Sequence, residues 1–110
     1  MNLYYKNEKL KNYCENPDYQ NEVIKKYGID VAKNIYSRIA DLKDYDSLND
    51  VPIAPPIRRH KLYGDYKDHF AINITRQYRL IFRQKDDNII IEDLRNIKEI
   101  MITEVSKHYE

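Results

Sequence analysis

One cysteine, two glycines, no tryptophan and almost no net charge (+1) mark this chain of 110 residues. Each scarcity excludes something. The lone Cys14 has no partner for an intramolecular disulfide, which fits a reducing cytoplasm better than secretion. There is no glycine-rich loop to cradle a phosphate, no Cys–His nucleophile spacing and no zinc motif. His60, His69 and His108 lack metal-ligand spacing and have no supporting carboxylate cluster, so neither a metal nor another cofactor is expected. No apolar run approaches a membrane span, the polar N-terminus is no signal peptide, and no repeat appears, so no membrane role is expected. A single domain over residues 1–110 is expected, large enough to bury a core.

What the chain does have is unevenly spread. Residues 51–85 hold eight Lys/Arg against two Asp/Glu, a balance of +6. Residues 1–50 hold eight against nine (−1), and residues 86–110 three against seven (−4), so neutrality hides a basic middle. Clustered positive charge with an imidazole among it suits binding a polyanion and moving a proton beside it. The eleven tyrosines are explained by A/T-rich coding bias, and many of their rings must sit half-buried with the hydroxyl wet.

Leu3-Tyr4-Tyr5 reads as a short first strand, and residues 7–15 as a helical turn or two. Asn16 can cap and Pro17 can begin a helix whose apolar positions are Tyr19, Val23, Ile24 and Tyr27, with Gly28 to end it. Asp30 can cap a second helix facing inward with Val31 or Ala32, Ile35, Ile39 and Leu42, and the short link implies an antiparallel helical hairpin. Lys33, Arg38 and Lys43 read as that helix's solvated face. Residues 44–56, with Pro52, Pro55 and Pro56, read as a connector. Alternation then predicts strands at Arg58–Leu62, His69–Thr75 and Tyr78–Arg83, turns at Tyr63-Gly64-Asp65 and Arg76-Gln77, and a last strand at Ile97–Val105. The order implies an α+β fold, a helical hairpin on one face of a small, mainly antiparallel twisted sheet.

His60 shares a predicted strand face with Arg58 and Leu62, while Arg59 and Lys61 take the other. Its cationic surroundings favour the neutral imidazole that a general base requires. Arg79 is an arginine inside the apolar run Tyr78 to Phe82. Either its stem lies on the sheet with the head in water, or its guanidinium is held rigidly to grip phosphate. The chain ends Lys107-His108-Tyr109-Glu110, either a frayed tail or an extension of the last strand that carries both rings onto the sheet.

Read together, these residues resemble the RelE/ParE superfamily of toxins, in particular its HigB-like, plasmid-maintenance-killer branch. The likeness runs through the Tyr27-Gly28 break, the Pro55-Pro56 lead-in, and Arg58, His60, Leu62, Gly64 and Asp65 spelling Arg-x-His-x-Leu-x-Gly-Asp. It continues through the strand at Phe70, the block Tyr78 to Phe82, and Ile100, Ile102, Glu104, His108 and Tyr109. The resemblance implies a RelE-like fold and a metal-independent endoribonuclease that cuts mRNA in the ribosomal A site by attack of the ribose 2′-OH on the adjacent phosphate. It also implies a helix-turn-helix, HigA-like antitoxin as partner. His60 takes the family's proton-transfer position, Arg79 that of the transition-state arginine, and His108 and Tyr109 that of the terminal Tyr–His pair. Arg58, Arg59, Lys61, Tyr63, Lys67 and Arg76 are the expected RNA contacts. Many members carry lysine or arginine where Tyr63 and Tyr66 stand, and most end Asp-Tyr-His. Which of His60, His108 and Tyr109 is the base stays open. Two other readings share the fold: a ParE-like inhibitor of DNA gyrase, and an inactive nucleic-acid-binding module.

Overall fold

Asn7 starts the helical layer: its side-chain oxygen accepts the Leu10 N–H at 2.9 Å and caps α1 (Glu8–Glu15). Asn16 repeats the device on the Asp18 N–H at 3.0 Å, and Pro17 opens a tight turn that leads into α2 (Gln20–Tyr27). Gly28, at φ 91°, closes α2 with its N–H on the Ile24 carbonyl at 2.7 Å and leads straight into α3 (Ile29–Asp44). Glycine is needed there because L side chains rarely adopt that φ. The computed structural model describes residues 1–107, and among these the expected two helices become three. Residues 7–15 form a complete helix, and Asp30 lies within the first turn of α3 because Gly28 already holds the capping position.

The strands are β1 (Asn2–Tyr5), β2 (His60–Lys61), β3 (His69–Asn73), β4 (Tyr78–Gln84) and β5 (Glu99–Lys107). They form one sheet in the order β1-β5-β4-β3-β2, antiparallel throughout except for the parallel pair β1–β5. The expected α+β architecture is therefore present. The edge strand is shorter than its alternation suggested, because Arg58 adopts φ 51° and breaks the extended run before His60. The last strand begins two residues later than expected, after a tight turn at Leu94–Asn96.

Alternation assigns Phe70, Ile72, Leu80, Phe82, Ile100 and Ile102 to the face covered by the helices, where they share a core with Val23, Ile35, Ile39 and Leu42. Burying each such side chain contributes about 1.5–3 kcal/mol, so this face dominates stability. The predicted connector belongs to the same core. Leu48 and Val51 are buried, as is Ile57 just after it, and the Leu48 N–H bonds the Ile97 carbonyl at 2.9 Å. Nor is α3 simply solvated where it carries charge. Arg38 Nε donates to the Asn73 carbonyl at 2.9 Å and Asn34 Nδ2 to that of Ile74 at 3.0 Å, pinning the end of β3 to the helix. Lys43 pairs with Glu15 at 2.6 Å.

Candidate active site

The other face of the sheet is ordered by strand register. His60 stands opposite Ala71, Ala71 opposite Ile81, and Ile81 opposite Glu104, making one row across four strands. A neighbouring row runs Asn73, Arg79, Ser106; on the opposite side of the first, another runs His69, Arg83, Met101, Tyr4. Residues paired in register point to the same side of a sheet. Leu62, Ala71 and Ile81 form a separate apolar floor beneath these rows, and no helix residue belongs to it.

A bulge shapes this face. The register between β4 and β5 shifts at Ile81/Phe82, where the Thr103 hydroxyl donates to the Ile81 carbonyl at 3.2 Å. Before the shift Ile100 and Ile102 point to the core. After it Val105 packs against that core, and Glu104 and Ser106 emerge on the open face.

Tyr66 packs over the apolar floor from the tight turn Gly64–Tyr66, which Gly64 permits at φ 66°. Its hydroxyl donates to Glu104 Oε2 at 2.8 Å, and its ring stands edge-on to His69 with centroids 5.9 Å apart. The hydrogen bond to Glu104, then burial, hold the phenol above its usual pKa, and the charge of Arg79 acts in the opposite direction. Both histidines of this face are held alike. His60 Nδ1 lies 2.8 Å from the Arg58 carbonyl and His69 Nδ1 lies 2.9 Å from that of Lys67. A carbonyl can only accept, so Nδ1 carries the hydrogen on each ring and Nε2 is left to exchange protons.

Arg79 is half-buried between Asn73 and Ser106, and its Nε–H is buried with no acceptor among the described residues. Leaving such a donor unsatisfied costs about 1–3 kcal/mol, a cost that an oxyanion from a ligand would remove.

The structure thus brings His60 and Arg79 onto one face and scatters the other expected contacts. Arg58, Tyr63, Lys67 and Arg76 are exposed in the segments that border it. Arg59 turns away: its Nη1 donates to the Leu48 carbonyl, and burial lowers its pKa. Lys61 stands opposite Phe70, on the side away from His60, 3.9 Å from Glu92. His108 and Tyr109 lie outside the described residues. Sequence reasoning gives no site role to His69, Asn73, Arg83 or Ser106, although alternation already places His69 and Asn73 on the strand face opposite Phe70 and Ile72. Tyr66 enters it only as a position where many members carry lysine or arginine.

The sequence matches no protein-family model and no curated protein. The fold does have solved counterparts. The YoeB/ParE toxin from Agrobacterium tumefaciens superposes with a TM-score of 0.58 over 99% of this chain and 100% of its own, at 16% identity. The YoeB–YefM complex from Staphylococcus aureus gives 0.56 over 99% and 98%, at 15% identity. A point mutant of YafQ from E. coli gives 0.56 over 96% and 91%, at 13% identity. At such identities the likeness shows the fold alone, and it is a fold this chain shares with YoeB/ParE and YafQ toxins.

Proposed function

We propose that this protein is the toxin of a type II toxin–antitoxin pair, a HigB-like, ribosome-dependent mRNA endonuclease that arrests translation in the cytoplasm. The observation that carries this reading is the open face itself. A rigid strand holds an arginine whose buried Nε–H has no acceptor among the described residues, on the same surface as an imidazole able to exchange protons at Nε2. Cleavage by the ribose 2′-OH needs those two capacities, a base for the hydroxyl proton and a fixed cation for the charge that develops on phosphorus. His60 serves as the base and Arg79 as the cation. By the resemblance alone, His108 and Tyr109 orient the base and assist proton transfer. Arg58, Tyr63, Lys67 and Arg76 border the RNA path, whereas Arg59 and Lys61 are directed away from it.

The neighbouring residues 86–110 are acidic, so free RNA is expected to bind weakly. The ribosome supplies the positioning that lowers the barrier. A small helix-turn-helix antitoxin keeps the protein silent, docking on the helical half. The S. aureus counterpart was itself solved as a YoeB–YefM complex.

The test compares naked RNA with a programmed ribosome, using the parent, His60→Gln and Arg79→Lys. The parent is expected to cut only on the ribosome. His60→Gln should lose on the order of a hundred- to ten-thousand-fold. Arg79→Lys keeps the charge but not the planar fork, and should also detoxify while melting like the parent. If both variants fold and remain as toxic as the parent, this site is wrong. Pulse labelling that shows DNA replication stopping before translation would instead identify a gyrase-directed toxin.

A further inference from the structure

The open face carries a second imidazole whose setting duplicates that of His60. The His69 carbonyl accepts the Leu62 N–H at 2.9 Å, so His69 lies opposite Leu62 and diagonal to His60 across the β2–β3 pair. Diagonal neighbours on adjacent antiparallel strands are about 7–8 Å apart, a gap suited to two ring nitrogens flanking the attacking and leaving oxygens of one phosphate. Each ring commits Nδ1 to the backbone carbonyl two residues before it, and neither Nε2 has a hydrogen bond among the described residues. His69 is further held by the edge-on ring of Tyr66, itself anchored on Glu104 at 2.8 Å. The charged group opposite it in the ladder, Arg83, is already paired with Asp87 at 2.7 Å. Two imidazoles presented in one way on one surface make a set able to take up a proton at one point and release one at another.

We propose that His69 is the general acid of the cleavage, paired with His60 as the base, an assignment that rests on the nuclease reading above. His60 Nε2 removes the proton of the ribose 2′-OH. The 2′-oxygen bonds to phosphorus as the bond from phosphorus to the 5′-oxygen breaks. His69, protonated at Nε2, gives its proton to that departing oxygen. The products are a 2′,3′-cyclic phosphate and a 5′-hydroxyl. One proton is taken up and one is released, and exchange with water resets both rings.

The test replaces the leaving oxygen by sulfur. The cleaved linkage is mapped on a programmed ribosome with the parent protein, and an mRNA is then made with a 5′-bridging sulfur at that position. A thiolate departs without a proton. His69→Gln is expected to slow the oxygen substrate on the order of a hundred- to ten-thousand-fold, yet to cut the sulfur substrate within a few-fold of the parent. His60→Gln should be slow on both. Activity on the sulfur substrate also shows that the His69 variant is folded. Parent-like rates of His69→Gln on the oxygen substrate, or equal losses on both substrates, overturn the assignment and leave the nuclease reading standing. So does a sulfur-rescued defect that appears on removing residues 108–110 and not in His69→Gln. A parent that cuts neither substrate overturns both.

Discussion

The two faces of one sheet differ here in almost everything except the strands that make them. On the covered face Phe70, Ile72, Leu80, Phe82, Ile100 and Ile102 are no more than 5% exposed, and Phe70 stacks on Phe82 at 6.0 Å. On the open face His60, His69, Asn73, Arg79, Glu104 and Ser106 are half-buried over a thin floor of Leu62, Ala71 and Ile81. Successive residues of a strand go to opposite sides, so parity, reset once by the bulge at Ile81/Phe82, decides whether a side chain joins the core or the open face. The lesson is that stability and activity should be separable in this molecule.

The largest expected loss of stability tests the covered face. Phe82→Ala removes a ring that is 0% exposed and should cost about 3–5 kcal/mol in denaturant unfolding. A loss much below that would place the core elsewhere. Arg59→Ala comes next. It leaves the buried turn at Leu48 without its guanidinium donor, so about 1–3 kcal/mol should go while RNA cleavage by the folded fraction is kept. A cleavage defect with an unchanged melt would return Arg59 to the RNA-binding set.

Glu104→Gln should be the mildest, about 0.5–1 kcal/mol at neutral pH, because the amide oxygen can still accept the Tyr66 hydroxyl. Its signature lies in titration. Glu104 raises the Tyr66 phenol above the unfolded value, so the contribution is fully present below that value and is lost as pH rises through the folded one. The parent should therefore weaken more steeply at alkaline pH than the variant. The Tyr66 carbon resonance should titrate at lower pH in Glu104→Gln. An unmoved resonance would show that the pair at 2.8 Å does not govern the phenol.

The covered face was the more legible in sequence. Phe70, Ile72 and Ile74 alternate cleanly, and Val23, Ile35, Ile39 and Leu42 keep helical spacing, so their burial followed from periodicity. Leu48 and Val51 were hidden because polar residues and prolines surround them; the Leu48–Ile97 backbone bond and the Arg59 guanidinium on the Leu48 carbonyl hold that segment against the core. On the open face, His60 stood out as an imidazole among cations and Arg79 as an arginine inside an apolar run. Glu104 stood out less clearly, because simple alternation places it in phase with Ile100 and Ile102; the bulge reverses that phase. Tyr66 reaches its place through a turn geometry, and His69 acquires meaning only from the diagonal that pairs it with His60. Neither relation is a periodicity.

The parallel pairing of β1 with β5 joins Asn2 to Glu99, the first strand to one synthesised after every other it contacts. β5 also lies between β1 and β4, so the sheet has no continuous surface until that strand is in place. Pairing so distant in sequence is slow to form, and a nascent chain whose β5 is still inside the ribosome has only β4, β3 and β2 to pair. Glu104 and Ser106 are then missing from the rows that contain His60 and Arg79. Until β5 pairs, the open face therefore lacks Glu104, and with it the acceptor that holds the Tyr66 hydroxyl over the apolar floor.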